Sequence, residues 1–431
     1  MNHDIYRTYL DAAAWCTPAR SAMLAAIQTW RPFGDALPGS DAAAAALELL
    51  ASLQVSGDAP PFVLGGAPAA DGDFSAVRQE VVLRLPFCNL VRFRRQQDLP
   101  RPKILLVAPL SGHHASRLRD TVGALLGGHD VFVTDWRNAR DVPVAAGRFD
   151  IDDYLEYLLV FLREIGPGVH LAGICQSCPP VLAAAALLAE DGDPATPRSL
   201  ILMCGPVDPR INATFTGLAA RAAPLALFEQ AMTATIPGEF AGAGRRVAPG
   251  FLQAACLLGA DAPGRMAALL QTCAGLGVLD RAGLEEARRC YQDELSLVDL
   301  PAEFYLSTID RVFRQAALPR GRFSWRGRPV RLAAIRDTAL MTIEGADDAI
   351  CGAGQTHAAH ALCAGISDAL RVCHTEPATG HAALFSGARW RSGVHPAVRA
   401  FVAAQERRMS GGCAASPGVR TCAQENEMLR P

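Results

Sequence analysis

A repeated alternation of short apolar runs with longer spans of helical pattern constrains the fold of this sequence more than any other feature. Runs that are apolar along their whole length are typical of a parallel β-sheet whose two faces are covered by helices. Two further short β-type runs, EVVLRL and NLVRF, come before them and are separated by Pro86, Phe87 and Cys88. The predicted parallel strands are KILLVAP (103–109), VFVTDW (131–136), VHLAGI (169–174), SLILMC (199–204), TALMTIEG (338–345) and LRVCHT (370–375).

The spacing of these strands divides the chain into four parts. An α/β core is predicted over residues 76–205 and 338–405. Residues 206–337, between its two pieces, have mostly helical patterns, clearest in AAPLALFEQAMT, GRMAALLQTCAGL and AEFYLSTIDRVFRQ, so we expect a mainly helical cap inserted into the core. Residues 1–75 are predicted to form an N-terminal helical extension, and residues 406–431, which lose apolar periodicity, a mobile tail.

The composition argues against several classes of function. Of 431 residues, 19% are charged and the formal net charge is -2, which does not favour electrostatic binding of nucleic acid. Thirteen cysteines occur at irregular spacing, and a chain of this length does not need disulfides, so we expect a reducing cytoplasm. The first residues, with Asp4 and Arg7, lack the layout of a secretory signal. No apolar run approaches the roughly 20 residues of a membrane span, so no integral membrane association is expected.

The candidate nucleophile is Cys175, in the sequence Gly173-Ile174-Cys175-Gln176-Ser177 between a predicted strand and the helical run PPVLAAAALLAE. This segment resembles the nucleophile elbow Gly-x-nucleophile-x-Gly, with cysteine as the nucleophile and without the second glycine. A sharp turn from strand to helix holds such a side chain clear of the sheet. The helix N-terminus there favours the thiolate.

Two other interpretations of Cys175 remain possible at this point. It could be one of many buried cysteines, or it could form a C-x-x-C redox pair with Cys178 at the start of the helix. Neither alternative explains why an acidic loop and a histidine loop follow two later strands. Cys178 is therefore interpreted as a helix residue, or as a partner in accidental oxidation.

The acid and the base are expected in the loops after the last two strands. Asp348 in GADDAI is favoured over Asp347 because of its spacing from the strand, and Asp347 is better explained as a solvated acid or a helix cap. His381 in TGHAALF is favoured over His374, because His374 lies within a strand and a glycine precedes His381. The chain order of nucleophile, acid and histidine predicts an α/β-hydrolase fold.

An acyl-transfer site also needs donors for a developing oxyanion, and the backbone N–H groups of Gln176 and Leu110 are the candidates. His113 and His114 lie near Leu110 in the loop PLSGHHAS, and we assign them no role. The histidines and cysteines lack metal-binding spacing, and no glycine-rich nucleotide motif follows a strand. We therefore expect neither a metal nor a cofactor.

Long segments of the chain resemble the intracellular poly(3-hydroxybutyrate) depolymerases of bacteria. The resemblance implies that Cys175, Asp348 and His381 are the catalytic triad, and that the substrate is short-chain polyhydroxyalkanoate in intracellular granules. Departures from the family are Cys178, the alanine after His381, and a cap rich in alanine and glycine; they bear on rate and chain-length preference. The segments that carry the resemblance are LPFCNLVRFRR, LLVAPLSGHHASRLRDTV, VFVTDWRNARDVPVAAGRFDIDDYLEYLLVFL, AGICQSCPPVLAA, DLPAEFYLSTIDRVFRQAALPRGRFSWRG, IEGADDAICGAGQT and TGHAALFSGARWR.

Two alternatives to the depolymerase remain. A polyhydroxyalkanoate synthase would share the fold and the order of the triad but build polymer from an acyl-CoA, and the missing second glycine of the elbow argues against it. A granule-coat protein would keep the fold as a binding module, and the complete triad argues against that. In each case the expected partner is the granule surface, bound through apolar residues of the cap or the extension, first of all EFYLSTIDRVF and Trp325.

Overall fold

The computed structural model describes residues 3–34, 55–62, 64, 67–68, 74–96, 101–260 and 281–409. Among these residues, eight strands form one central sheet in the spatial order 1-2-4-3-5-6-7-8. β2 runs antiparallel to both of its neighbours, and the pairs from β4 through β8 are parallel. The strands are β1 (Val77–Arg84), β2 (Cys88–Arg95), β3 (Lys103–Val107), β4 (Asp130–Trp136), β5 (His170–Ile174), β6 (Ser199–Met203), β7 (Ala339–Gly345) and β8 (Arg371–Glu376).

The mostly parallel sheet predicted from the apolar runs is confirmed, and its burial explains those runs. Every residue of β5, β6 and β7 is buried, because these strands lie at the middle of the sheet with helices on both faces. β1 lies at the edge, and its positions are exposed or partly buried, with none fully buried. The helices around the sheet are α2 (Arg119–Leu125), α3 (Ile151–Ile165), α4 (Cys178–Asp191) and α10 (His395–Met409), after an N-terminal helix α1 (His3–Gly34).

The segment between β6 and β7 contains both helices and small sheets. Its helices are α5 (Phe215–Ala222), α6 (Leu225–Met232), α7 (Gly250–Ala260), α8 (Arg281–Leu295) and α9 (Ala302–Thr308), which continues into a π-helical turn, Ile309–Arg314. The strands Ala234–Thr235, Arg246–Ala248 and Leu300–Pro301 pair antiparallel, as do Ser324–Trp325 and Arg328–Pro329. The predicted helical piece GRMAALLQTCAGL (264–276) lies outside the described residues.

The two ends of the chain pack against different parts of the molecule. In α1, the Tyr6 hydroxyl donates to the buried Asp299 carboxylate, and Tyr9 stacks on Phe251 of α7 at a ring distance of 4.2 Å. At the other end, α10 continues to Met409, so residues 406–409 of the predicted tail are helical; the rest of that tail lies outside the described residues.

Two further observations concern the expected location of the protein. None of the described helices is long and apolar enough to cross a membrane. Cys373 of β8 is disulfide-bonded, an exception to the chain without disulfides that the sequence led us to expect.

Candidate active site

Cys175 occupies a sharp turn between β5 and α4. Its φ is 54°, in the left-handed region, which costs a residue other than glycine roughly 1–2 kcal/mol. Strained conformations of this kind concentrate at functional sites, where the surrounding structure holds them in place. Every residue of β5 is buried, whereas Cys175 and Gln176 in the turn are partly exposed before the chain is buried again at Ser177. The turn therefore presents the thiol at the carboxyl edge of the sheet, as the elbow pattern predicts.

Ser177 stands where the elbow normally has its second glycine, and the structure shows how it is accommodated. Its buried hydroxyl accepts a hydrogen bond from the Ile174 N–H at 2.7 Å. The same oxygen lies 2.9 Å from the carbonyl oxygens of Ile174 and Val107, to one of which it donates. The position near the turn that requires a glycine is instead Gly205, after β6. A Cβ at Gly205 would lie 2.6 Å from the Cys175 carbonyl oxygen. The departure from the glycine pattern therefore leaves the turn intact.

Asp348 lies in the loop after β7 and is nearly buried, with 8% of its surface exposed. Its Oδ1 accepts hydrogen bonds from the N–H groups of Ile350 and Cys351 at 2.8 and 2.9 Å. Its Oδ2 accepts from Nδ1 of His381 at 2.8 Å. Asp347, the alternative acid, is exposed to solvent. Of the two neighbouring acids, the fold brings Asp348 to the histidine.

The loop that carries Asp348 is anchored by Glu344, a buried acid of β7 that the sequence analysis did not single out. Its carboxylate accepts three main-chain hydrogen bonds, from Gly354 and Thr356 at 2.6 Å and from His357 at 2.9 Å. Bonds to an ionised acceptor are the stronger ones in proteins. An acid inside the otherwise apolar run TALMTIEG was the signal that could have identified this anchor.

His381 lies in the loop after β8, with its imidazole between Asp348 and two thiols. A ring nitrogen of His381 and the Cys204 sulfur lie within 4.8 Å of each other, and Cys175 also acts on the imidazole electrostatically. Burial alone would lower the pKa of His381, but the neighbouring Cys204 and Cys175 and the bond to Asp348 together raise it well above its usual value. His374, the competing histidine, donates instead from Nε2 to Glu376 at 2.9 Å within β8.

Cys204 is a site residue that sequence reasoning missed. It directly follows β6, has a φ of 44° and is only 1% exposed. Burial raises the pKa of its thiol to about 11, against the opposing effect of His381. Ligand atoms of Cys204, Asp348 and His381 lie within 4.8 Å of one another, so these three residues could in principle hold a metal ion. The available signal was that SLILMC, like VHLAGIC, places a cysteine at the end of an apolar strand.

Cys178 contacts main-chain carbonyl oxygens through its sulfur. Its buried sulfur lies 3.2 Å from the Gly173 carbonyl oxygen and 3.5 Å from that of Met203, to which its S–H can donate. Burial raises the pKa of this thiol well above its usual value. Cys178 therefore packs as a helix residue beneath the turn, in line with its interpretation from the sequence.

The two candidate oxyanion donors lie at the ends of neighbouring strands. Gln176 follows Cys175 in the turn, and Leu110 is buried in the loop after β3, which pairs with β5. His114, in the same loop, is buried, and this burial lowers its pKa to about 4 although a main-chain hydrogen bond to Gly57 opposes the shift. His113 forms a β-bridge with Leu297. Both histidines therefore make structural contacts with distant segments of the chain.

The family model described as PHB de-polymerase C-terminus matches residues 204–406, where PHB is poly(3-hydroxybutyrate). No curated protein sequence matches the chain. The matched region contains Cys204, Asp348 and His381, whereas Cys175 lies before it.

Several solved structures are similar to the chain. An α/β hydrolase fold protein from Nakamurella multipartita is 14% identical, with 78% of this chain and 100% of that chain covered and a TM-score of 0.41. A thermophilic esterase from Thermogutta terrifontis is 15% identical, with coverages of 80% and 98% and a TM-score of 0.42. A monoacylglycerol lipase from Paleococcus ferrophilus is 13% identical, with coverages of 73% and 99% and a TM-score of 0.43.

The order of the strands, the positions of the turn, the acid loop and the histidine loop at one edge of the sheet, and the family match lead to one assignment. Residues 204–406 match the C-terminal region of the PHB depolymerases, the chain has an α/β-hydrolase fold, and it is a carboxylic ester hydrolase.

Proposed function

We propose that this enzyme hydrolyses the ester bonds of short-chain poly(3-hydroxybutyrate) in intracellular granules through an acyl-enzyme on Cys175. The observation that carries the proposal is the convergence of three residues: His381 Nδ1 lies 2.8 Å from the Asp348 carboxylate, and Cys175 acts electrostatically on the same imidazole. These residues come from the loops after β5, β7 and β8, so three separate parts of the sequence converge on one thiol. A nucleophile, a base and an acid that orients the base are the requirements of acyl transfer.

In the first half of the reaction, His381 accepts the proton of Cys175 and the thiolate attacks the ester carbonyl. The backbone N–H groups of Gln176 and Leu110 donate to the oxyanion of the tetrahedral intermediate. The intermediate collapses to a thioester, and His381 returns the proton to the departing alkoxide of the polymer. Asp348, fixed by its two main-chain bonds, keeps Nδ1 protonated and stabilises the imidazolium.

In the second half, water replaces the released chain end. His381 removes a proton from the water as its oxygen attacks the thioester carbonyl, and the same donors hold the new oxyanion. The carbon–sulfur bond then breaks, and the imidazolium returns the proton to Cys175. A 3-hydroxyacid end leaves, and the site regains its starting protonation.

An apolar surface beside the acid loop suits a polymer without charge. Ile211, Phe215 and Leu218 are exposed apolar residues within eight positions, with Phe215 80% and Leu218 53% exposed. The segment that carries them joins the acid loop, since the Thr214 hydroxyl donates to the Ile350 carbonyl at 3.1 Å. Exposed apolar groups close together are typical of sites that bind apolar partners. We propose this surface as the granule contact.

The cap residues first expected to bind the granule are engaged elsewhere. Phe304 is 2% exposed, and the Trp325 indole donates from Nε1 to the Asp152 carbonyl at 3.1 Å. These side chains pack within the protein. The proposed contact therefore lies at the beginning of the cap segment and not in EFYLSTIDRVF.

Native granules provide the direct test of the reaction. The wild-type enzyme should release 3-hydroxybutyrate or its oligomers, and the Cys175→Ala variant should release none while keeping its circular dichroism spectrum. Release by the variant would contradict the proposal. Thiol release with polymer growth from 3-hydroxybutyryl-CoA would favour a synthase, and granule binding without release of acid by the wild type would favour a coat protein.

The proposed granule contact is tested by separating binding from chemistry. Phe215→Glu should reduce co-sedimentation with granules about tenfold, since it places a charge in an apolar contact, and should leave hydrolysis of a soluble short-chain ester within about twofold. Met409→Glu is the matched control, because Met409 is 66% exposed. Three residues before it, Glu406 contacts His170 and Arg198 at the beginning of β5 and β6, on the opposite edge of the sheet. Equal losses in both variants would contradict this surface.

A further inference from the structure

Two cysteines occupy equivalent positions at the ends of two adjacent parallel strands. Ile174 and Met203 are the last paired residues of β5 and β6, and Cys175 and Cys204 come directly after them. Both cysteines turn into the left-handed region, with φ of 54° and 44°. Neighbouring strands lie about 4.8 Å apart, and disulfides join Cα atoms about 4.4–6.8 Å apart. The two main chains are thus separated by a distance that a disulfide can span.

The side chains converge as well. The Cys204 sulfur and a ring nitrogen of His381 lie within 4.8 Å of each other, and Cys175 acts electrostatically on both, so the same base serves either sulfur. They differ in access, because Cys175 is partly exposed and Cys204 is buried. A small oxidant would therefore react with Cys175 first, and the buried Cys204 would react with the oxidised Cys175 in a second step.

The other thiols nearby are directed towards different groups. Cys178 faces the carbonyl oxygens of Gly173 and Met203. Cys351 lies 3.6 Å from Oε1 of Gln355 and 3.8 Å from the Thr356 hydroxyl. These contacts hold both sulfurs on groups other than the imidazole. Among the described cysteines, Cys204 is therefore the best placed to react with an oxidised Cys175.

We propose that Cys175 and Cys204 are a peroxide-sensitive pair that closes into a reversible disulfide and so protects the nucleophile from irreversible oxidation. The proposal rests on the proposed function in one respect: the disulfide would stop ester hydrolysis, because Cys175 would no longer be a free thiol. The bond itself requires the two thiols, the base and a hydroperoxide as oxidant.

The chemistry proceeds in two balanced steps. The Cys175 thiolate attacks the terminal oxygen of the hydroperoxide, the O–O bond breaks, and the departing alkoxide takes the proton that His381 removed from Cys175. This leaves a sulfenic acid on Cys175. His381 then accepts the proton of Cys204, whose sulfur attacks the Cys175 sulfur; the S–O bond breaks and hydroxide leaves with that proton as water. The peroxide gains two electrons and the two thiols lose them.

The disulfide is detected directly by peptide mapping of the full chain. Enzyme treated with hydrogen peroxide in the presence of a chelator is alkylated and digested with trypsin without reduction. Cleavage after arginine places Cys175 in peptide 164–198 and Cys204 in peptide 199–210. The proposal predicts that these two peptides are linked in the wild type, in Cys178→Ala and in Cys351→Ala, and are not linked in Cys204→Ala or Cys204→Ser.

Recovery of activity gives the second measurement, with each variant normalised to its own untreated rate. After peroxide and then dithiothreitol, the wild type should recover at least about tenfold from its oxidised level. Cys204→Ser should recover less than about twofold, because its Cys175 proceeds to sulfinic acid. Sulfinic acid on Cys175 in the wild type without linked peptides, or full recovery of Cys204→Ser, would overturn the proposal. Failure of the reduced enzyme to hydrolyse ester would instead overturn the proposed function, whatever the peptide map shows.

Discussion

Two carboxylate–histidine pairs lie at the last two strands of the sheet, and they differ in what the imidazole can reach. In the loop pair, His381 Nδ1 lies 2.8 Å from Asp348, and the ring is also influenced by the neighbouring Cys175 thiol. In the strand pair, His374 donates to Glu376 at 2.9 Å, two positions along the same face of β8. The two distances are nearly equal. A carboxylate beside a histidine is therefore not enough to make a catalytic base. The imidazole must also face a nucleophile, as His381 does and, among the described residues, His374 does not.

Replacing each histidine by glutamine should separate the two pairs most strongly. His381→Gln removes the proton acceptor of Cys175, so kcat/KM for a soluble 3-hydroxybutyrate ester should fall about 10⁴-fold. His374→Gln removes a hydrogen bond within β8 and should change kcat/KM less than about threefold, with a loss of about 1 kcal/mol in unfolding free energy. Equal losses of activity would remove the distinction between the pairs.

Substitution of the adjacent acids Asp348 and Asp347 tests whether the loop pair needs its carboxylate. In Asp348→Asn, the N–H groups of Ile350 and Cys351 hold the remaining oxygen, so the new amide N–H₂ faces His381 and forces the opposite tautomer. We expect kcat/KM to fall about 10³-fold. Asp347→Asn, at the exposed neighbour, should change it less than about twofold. Steady-state kinetics of both variants with the same soluble ester would show whether the loop pair depends on Asp348.

His381 and His360 differ in the direction in which folding shifts the pKa of the imidazole. The pKa of His381 is raised, so its contribution to stability is present at low pH and is lost as pH rises through the folded value. Burial lowers the pKa of His360 to about 3, so below about pH 6.5 the unfolded chain binds a proton that the folded chain does not. Stability should therefore fall with acidification in this range. Urea unfolding at pH 6.5 and 5.0 should show a slope smaller by about 1.1 kcal/mol per pH unit in His360→Gln, and an unchanged slope would contradict this account.

The smallest effect concerns backbone strain in the turns beside the loop pair. Ala378, exposed in the turn after β8, has a φ of 47°. Ala378→Gly should stabilise the protein by about 0.5–1 kcal/mol, because glycine adopts this conformation without strain. Ala346→Gly is the matched control in the exposed turn after β7; its φ is not positive, so it should destabilise by a similar amount. Melting temperatures that move in the same direction would contradict the assignment of strain.

The sheet and the loop pair were accessible from the sequence for local reasons. Each parallel strand is apolar along its length and ends at turn residues, so its ends could be predicted within two positions. Asp348 and His381 were identified because each follows a strand in the expected order. The placement of β4 between β2 and β3 depends on contacts between distant segments, and nothing in the local pattern specifies it.

The residues that the sequence analysis missed share a physical cause. Cys204 ends an apolar run and behaves as a small apolar residue in any pattern, although its turn brings the sulfur to His381. From the sequence, Ser177 was only a departure from the glycine of the elbow. Its hydroxyl contacts the carbonyl of Val107 in β3, a strand distant in sequence, so this role could not be predicted locally. In both cases a long-range contact gives the side chain its role.

The central claim is that Cys175 carries the acyl group, and trapping the intermediate tests it most directly. Asp348→Asn, whose turnover should be slow, is mixed with a soluble 3-hydroxybutyrate ester and quenched in acid, and its peptides are then analysed by mass spectrometry. We predict a 3-hydroxybutyryl group on Cys175 in peptide 164–198, removable by neutral hydroxylamine as a thioester is. An acyl group on Ser177, or ester turnover with Cys175 alkylated, would contradict the account.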